Sequence, residues 1–188
     1  MSINLEKGNT INLTKAEPAL RKLRLGLGWD LIPTEPPIDI DCCIFICSYD
    51  AQDQPKLLSD QHFVFYNNLE CPQGAVVHHG DNRTGAGDGD DEVINIDLQS
   101  IDLRAAELSI FVTIHNDTRG FSHVNTSYIR LYNDVTGSLI AEYKLGQEFA
   151  NESAVQVGSL VKSGNEWEFH AVGAGYQLGL GDIVAGYQ

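Results

Sequence analysis

Between positions 80 and 92 the chain reads Gly-Asp-Asn-Arg-Thr-Gly-Ala-Gly-Asp-Gly-Asp-Asp-Glu, and five of these thirteen residues (Asp81, Asp88, Asp90, Asp91, Glu92) are carboxylates. Carboxylates this crowded repel one another, so a fold tolerates them where water or a cation screens the charge. Hard divalent ions meet that need, and calcium takes about 6–8 oxygen ligands from carboxylates, carbonyls and waters. The four glycines of the stretch permit the positive φ that turns backbone carbonyls toward an ion. The chemistry expected of the segment is calcium binding.

Other loop types fit less well. An EF-hand started at Asp88 meets Val93 where its glycine belongs, and one started at Asp81 meets Arg83 at the third position. A phosphate-cradling loop wants a lysine after its second glycine, whereas Ala86 follows Gly85 and the carboxylates would repel phosphate. The run from Ala86 to Asp91 resembles one turn of a glycine-rich calcium nonapeptide, but such turns work in stacked arrays.

Further ligands are expected from elsewhere in the chain. Asp39 and Asp41 lie two apart at the entrance to a strand, so they share a face, with Ile38, Ile40 and Cys42 opposite. Like charges on one strand face are costly unless neutralised. Asn67 and Asn68, and likewise Asn116 and Asp117, follow strand-like stretches and offer side-chain oxygens. Ordinary turn chemistry would place the same residues there.

The elements that position these groups read as strands. Residues 107–115 alternate, with Leu108, Ile110, Val112 and Ile114 on one face and Ser109, Phe111, Thr113 and His115 on the other. Similar stretches cover 11–13, 23–27, 40–48, 62–66, 75–79, 93–98, 125–132, 139–145, 155–162 and 167–172. Turns at 133–137 and 163–165 close two hairpins. Brief helical pieces are expected near 102–106 and 148–154, and 173–188 reads as irregular chain packed on the body. The fold class is all-β: an antiparallel two-sheet β-sandwich with short helical turns, residues 1–188 forming a single domain.

Composition narrows the function. The formal charge of −14 disfavours a nucleic-acid groove, which needs a basic stripe, and docking on anionic lipid. The start of the chain lacks the apolar core of a secretory signal, and the longest unbroken apolar run, 42–47, is too short to insert in a bilayer. Cys42, Cys43, Cys47 and Cys71 show no disulfide framework. A cytoplasmic location follows as the expectation.

The chain resembles the TerD family of tellurite-resistance proteins, which includes TerE, TerZ and general stress relatives. The likeness is carried by Gly26-Leu-Gly-Trp-Asp30, Asp39-Ile-Asp41, Phe65-Tyr-Asn-Asn68 and above all the 80–92 run, and it extends nearly to the end. It implies a cytoplasmic, calcium-binding β-sandwich acting in tellurite and stress resistance, and a non-enzymatic protein is the first expectation. Other tellurite-resistance proteins at the cytoplasmic face of the membrane are the implied partners. Some members are described as cyclic-AMP-binding. Carried over by position, the implied ligands are Asp39, Asp41 and Asn67, then Asp81, Asn82 and Asp88, then Asp90, Asp91 and Glu92, enough oxygen for two calcium ions if some ligands bridge. The sequence departs from the family pattern at Ala86, Cys42-Cys43 and Asn116.

Other chemistry is less well supported. The cysteines lie in an apolar run, which suits buried thiols better than thiolate capture of a soft oxyanion. His78, His79, His115 and His123 are expected as surface or hydrogen-bonding residues, and Arg83 as a salt-bridge partner within the loop. Two alternatives to the calcium protein stand: a small-ligand module, such as one for a cyclic nucleotide, and a two-metal phosphoesterase.

Overall fold

The alternating stretches form two facing β-sheets in the computed structural model, which describes residues 2–31, 38–83, 89–115, 120–145 and 147–188. Sheet I contains β1 (Ile3–Leu5), β3 (Lys22–Leu31), β7 (Val76–His78), β8 (Glu92–Asp97), β10 (Val124–Asn133) and β11 (Ser138–Leu145), in the order β1-β11-β10-β3-β8-β7. Sheet II contains β2 (Thr10–Asn12), β4 (Ile40–Tyr49), β5 (Pro55–Leu57), β9 (Glu107–Ile114), β12 (Ala154–Ser163) and β13 (Glu166–Tyr176), in the order β2-β13-β12-β9-β4-β5. A short β6 (Phe63–Val64) also pairs with β4. The pairings are antiparallel apart from the edge strand β1, which runs parallel to β11. The all-β sandwich expected from the sequence is the observed fold.

Its core lies between the sheets. Leu23, Leu25 and Leu27 of β3 and Ile94 and Ile96 of β8 join Ile40, Ile44 and Ile46 of β4 and Leu108, Ile110 and Val112 of β9, none more than 1% exposed. Alternation therefore sends Asp41, Cys43, Phe45 and Cys47 to the outer face of sheet II. That face is covered too. Cys43, Phe45, Cys47, Phe63 and Phe111 form a second apolar cluster with Ile183, which sits on α2 (Leu180–Tyr187). Tyr187 stacks on Phe45 with ring centroids 4.4 Å apart, and Lys56 Nζ donates to the Gly186 and Gln188 carbonyls at the helix end. Strand β9 is consequently buried on both faces, although its period-two pattern suggested sheet faces of unlike character.

Several local expectations need correction. Residues 102–106 form a turn, and the 148–154 region holds a 3₁₀ turn (Gln147–Phe149) before β12 begins. The first α-helix is instead α1 (Leu13–Ala16), capped by Asn12 Oδ1 accepting the Lys15 N–H at 2.9 Å. The 173–188 segment is regular, because β13 continues through Tyr176 and α2 follows. The glycine at 175 serves packing: a Cβ there would collide with Glu152, so the residue answers a close approach and not a lack of order. Strand β3 runs from Lys22 to Leu31, longer than the 23–27 stretch expected, and its Gly26 and Gly28 leave room for the Asp90 and Tyr128 side chains.

Docking of α2 should be measurable. Ile183→Ala is expected to lower the unfolding free energy by about 2 kcal/mol in urea melts followed by tryptophan fluorescence. Leu103→Ala, at a site 89% exposed, should change it by less than about 0.5 kcal/mol. Equal, negligible effects would mean that the helix is not held on the sheet.

Candidate metal centre

The entrance to β4 and the loop after β7 meet at one end of the sandwich. Asp41 pairs with Thr113 across the β4–β9 ladder, and the His115 N–H donates to the Asp39 carbonyl at 2.9 Å, which fixes the two aspartates on the strand edge. After β7 the chain turns at Gly80, whose φ of +113° is open to glycine, and delivers Asp81. One carboxylate oxygen from each of Asp39, Asp41 and Asp81 lies within 4.8 Å of the others.

Glu92, the first residue of β8, flanks Asp41 from the other sheet. Its Oε2 accepts the Cys42 N–H at 2.7 Å, so a carboxylate of sheet I is bonded to the backbone of sheet II. His78 Nε2 faces the same oxygen at 3.5 Å, an ion-pair distance more than a tight hydrogen bond. Its Nδ1 accepts the Gly80 N–H at 3.1 Å, which leaves the ring proton on Nε2, toward Glu92. Asp41 Oδ2 sits 3.0 Å from His115 Nδ1.

These contacts do not neutralise the cluster. Asp41 and Glu92 are each 2% exposed, yet among the described residues Asp41 Oδ1, Glu92 Oε1 and Asp39 Oδ1 have no hydrogen-bond partner. Buried carboxylate oxygens without donors are costly. Burial, with Glu92 and then Asp39 nearby, pushes Asp41 up to about 7, against the pull of His115. Burial and Asp81 raise Asp39, and burial raises Glu92 despite His78 and the Cys42 and Asn82 N–H groups. Hard oxygen donors with uncompensated charge suit a hard divalent cation.

The remaining expected ligands are placed differently. Asp90 lies over Gly26 between two arginines, with Oδ2 3.1 Å from Arg24 Nη1 and Oδ1 3.8 Å from Arg130 Nη1. Asp91 accepts the Trp29 N–H at 2.9 Å and the Asn82 amide at 3.1 Å, while its own N–H donates to Leu27. Both residues thus fasten the loop to β3. Asn67 is exposed in the tight turn between Phe65 and Asn68, next to Tyr66. Asp88, Asn116 and Asp117 lie outside the described residues. Arg83 pairs with Asp81 at 3.5 Å.

Sequence reasoning missed His78, His115 and Tyr66 as site neighbours. Tyr66 contacts the His115 ring with centroids 5.1 Å apart. Only the strand register, which places His115 opposite Asp39, could have pointed to it. The four cysteines are free and buried, and burial raises the thiols of Cys42, Cys43 and Cys47, which opposes thiolate chemistry.

This arrangement can be set beside known proteins. The TerD domain pattern matches residues 1–187. The chain belongs to the TerD family. Tellurium resistance protein TerD of Serratia marcescens is 38% identical over 191 residues, spanning 100% of this chain and 97% of that protein. General stress protein 16U of Bacillus subtilis (strain 168) is 38% identical over 190 residues, with 100% and 97% covered. Among solved structures, a protein of unknown function, SAV2460, superposes with a TM-score of 0.74 at 27% identity, over 90% of this chain and 98% of that one. A homologue of telluride resistance protein (TerD) from Streptomyces coelicolor A3(2) gives 0.71 at 20% identity, over 88% and 96%, a likeness of fold alone. This TerD-family chain therefore shares the tellurium-resistance and stress-response lineage. Among its described residues no helix is long and apolar enough to cross a membrane.

The raised carboxylates set a pH dependence. Asp41 titrates near 7 when folded against an ordinary 3.8, so between those values the native state holds a proton that the unfolded chain has lost. Stability from this group is full below the lower value and is lost as pH rises through the upper one. The melting temperature in chelator should therefore fall as pH rises from about 4 to about 7, and Asp41→Asn should flatten that fall. A metal-free melting temperature that rises across the window would contradict the described electrostatics.

Proposed function

We propose that this TerD-family protein is a non-enzymatic calcium-binding component of the tellurite and stress response, working in the cytoplasm. The observation that carries the reading is the convergence of Asp39, Asp41 and Asp81 around buried carboxylate oxygens that no donor among the described residues meets. A cation there would be held by these three, with Glu92 adding negative charge from the opposite sheet. The donors are all hard oxygens, which favours calcium or magnesium over zinc or copper. Magnesium demands near-octahedral geometry and sheds water reluctantly, so carboxylates brought together from a strand edge and a loop suit the more tolerant calcium ion.

The ion would join sheet II to the loop of sheet I, stabilising the fold and shaping a surface for a protein partner. Other tellurite-resistance proteins are the partners the family suggests. The cytoplasmic reading is supported by four cysteines that stay unpaired and buried. Against phosphoester hydrolysis stands the shortage of cations to stabilise a leaving group. Arg83 is already paired with Asp81, and Arg24 and Arg130 are taken up by Asp90.

Calorimetric titration of metal-free protein tests the proposal. Calcium should bind and raise the melting temperature, by about 2.7 kcal/mol of stability per ion at a hundredfold excess over Kd, while magnesium adds little. Asp41→Asn and Asp81→Asn should abolish the effect. Asp90→Asn should weaken it only partly, because that carboxylate rests on arginines. No heat on calcium addition, together with a melting curve indifferent to chelator, would end this reading.

A further inference from the structure

The outer face of sheet II carries a cleft of about 1030 Å³ that calcium binding alone does not use. Its lining combines Phe63, Phe65 and Tyr66 with Leu178, Leu180 and Val184, from α2 and the segment before it. This is the size and apolar character of a small-molecule site. Asp41 and His115 belong to the same lining, so one side chain serves both the carboxylate cluster and the cleft. Asp41 is 2% exposed and its Oδ1 has no hydrogen-bond partner among the described residues.

The chemistry of a ligand follows from the charges. Calcium takes about 6–8 oxygens, and among the described residues Asp39, Asp41 and Asp81 fall short of that number, with His115 on Asp41 Oδ2 and Arg83 on Asp81. The side chains of the described residues leave room for an oxygen from outside, and an ion held on Asp41 would lie beside the cleft. Without the ion the carboxylates would repel an anion; with it they become part of a site that attracts one. We propose that the cleft binds a small anion with a planar apolar body, its carboxylate or phosphate oxygen reaching the calcium and its body lying against Phe65 and Tyr66. The proposal rests on the calcium reading.

The test uses the full chain, with benzoate and phenyl phosphate as probes, titrated by calorimetry in saturating calcium and in chelator. The Gly181→Trp variant is designed to obstruct the cleft: Gly181 is in its lining, and a Cβ there meets nothing within 4 Å, so a side chain can be started there without a clash. At least one probe should bind in calcium and lose at least tenfold in chelator, and which one binds distinguishes a carboxylate from a phosphate ligand. Inorganic phosphate, lacking the planar body, should bind at least tenfold more weakly than the better probe. Gly181→Trp should weaken the probe at least tenfold and leave the titration with calcium alone unchanged. Calcium binding without binding of either probe overturns this inference and spares the calcium reading, as does a probe that binds equally in chelator or ignores Gly181→Trp. Failure of calcium itself to bind removes both.

Discussion

The contact between the Glu92 carboxylate and the Cys42 N–H, 2.7 Å long and fully buried, is the constraint on which this end of the molecule depends. It ties the first residue of β8 to the backbone of β4, so the two sheets and the acidic loop cannot move apart independently. It also brings a second negative charge next to Asp41 in a place that water barely reaches. A sandwich could close without such a group, as it does through aliphatic packing over most of the interface. Here the bond between sheets is made by an ion, and the repulsion it creates has to be met by another charge.

The acidic loop answers that repulsion differently along its length. Asp90 is met by two guanidinium groups, themselves stacked on tyrosines, with Arg24 3.9 Å from the Tyr132 ring centre and Arg130 3.7 Å from that of Tyr128. Asp91 is met by a backbone N–H and an amide. Asp81, Asp39 and Asp41 converge on one another instead. In sequence the carboxylates look interchangeable; in the fold some clamp the loop on sheet I and others are left facing a common point. Counting acidic residues therefore overstates the number that can ligate through their side chains in this arrangement.

That division marks the limit of what was legible beforehand. The period of two at 107–115 and the turns at Gly137 and Gly164 depend on neighbours in sequence, and they reported strands and hairpins directly. Asp39 and Asp41 could be put on one face for the same reason. Which loop residues would join them depended on Arg24 and Arg130, distant in sequence, and on a turn at Gly80. The roles of the glycines in β3 and β13 were not legible because the side chains that fill their empty space come from elsewhere. Helix α2 was missed because its short apolar stripe makes sense only over Phe45 and Phe111.

Sheet II contains its own control for the claim that the orphaned oxygens need a cation. Glu107, on the same outer face and 8% exposed, is also a buried carboxylate. Its Oε1 accepts from the Ser109 and Ser159 hydroxyls at 2.8 and 2.6 Å, and its Oε2 from the Tyr49 hydroxyl at 2.6 Å. The fold can thus surround a buried carboxylate with neutral donors where nothing else is to be held. At the other end of β4 the Cys42 N–H meets Glu92 Oε2 and His115 meets Asp41 Oδ2, but among the described residues no donor meets Asp41 Oδ1 or Glu92 Oε1, and carboxylates lie beside them. Under the same packing constraints, the difference between these two ends is one of donor chemistry, and the end that leaves carboxylate oxygens without a donor is the one arranged to accept a positive ion.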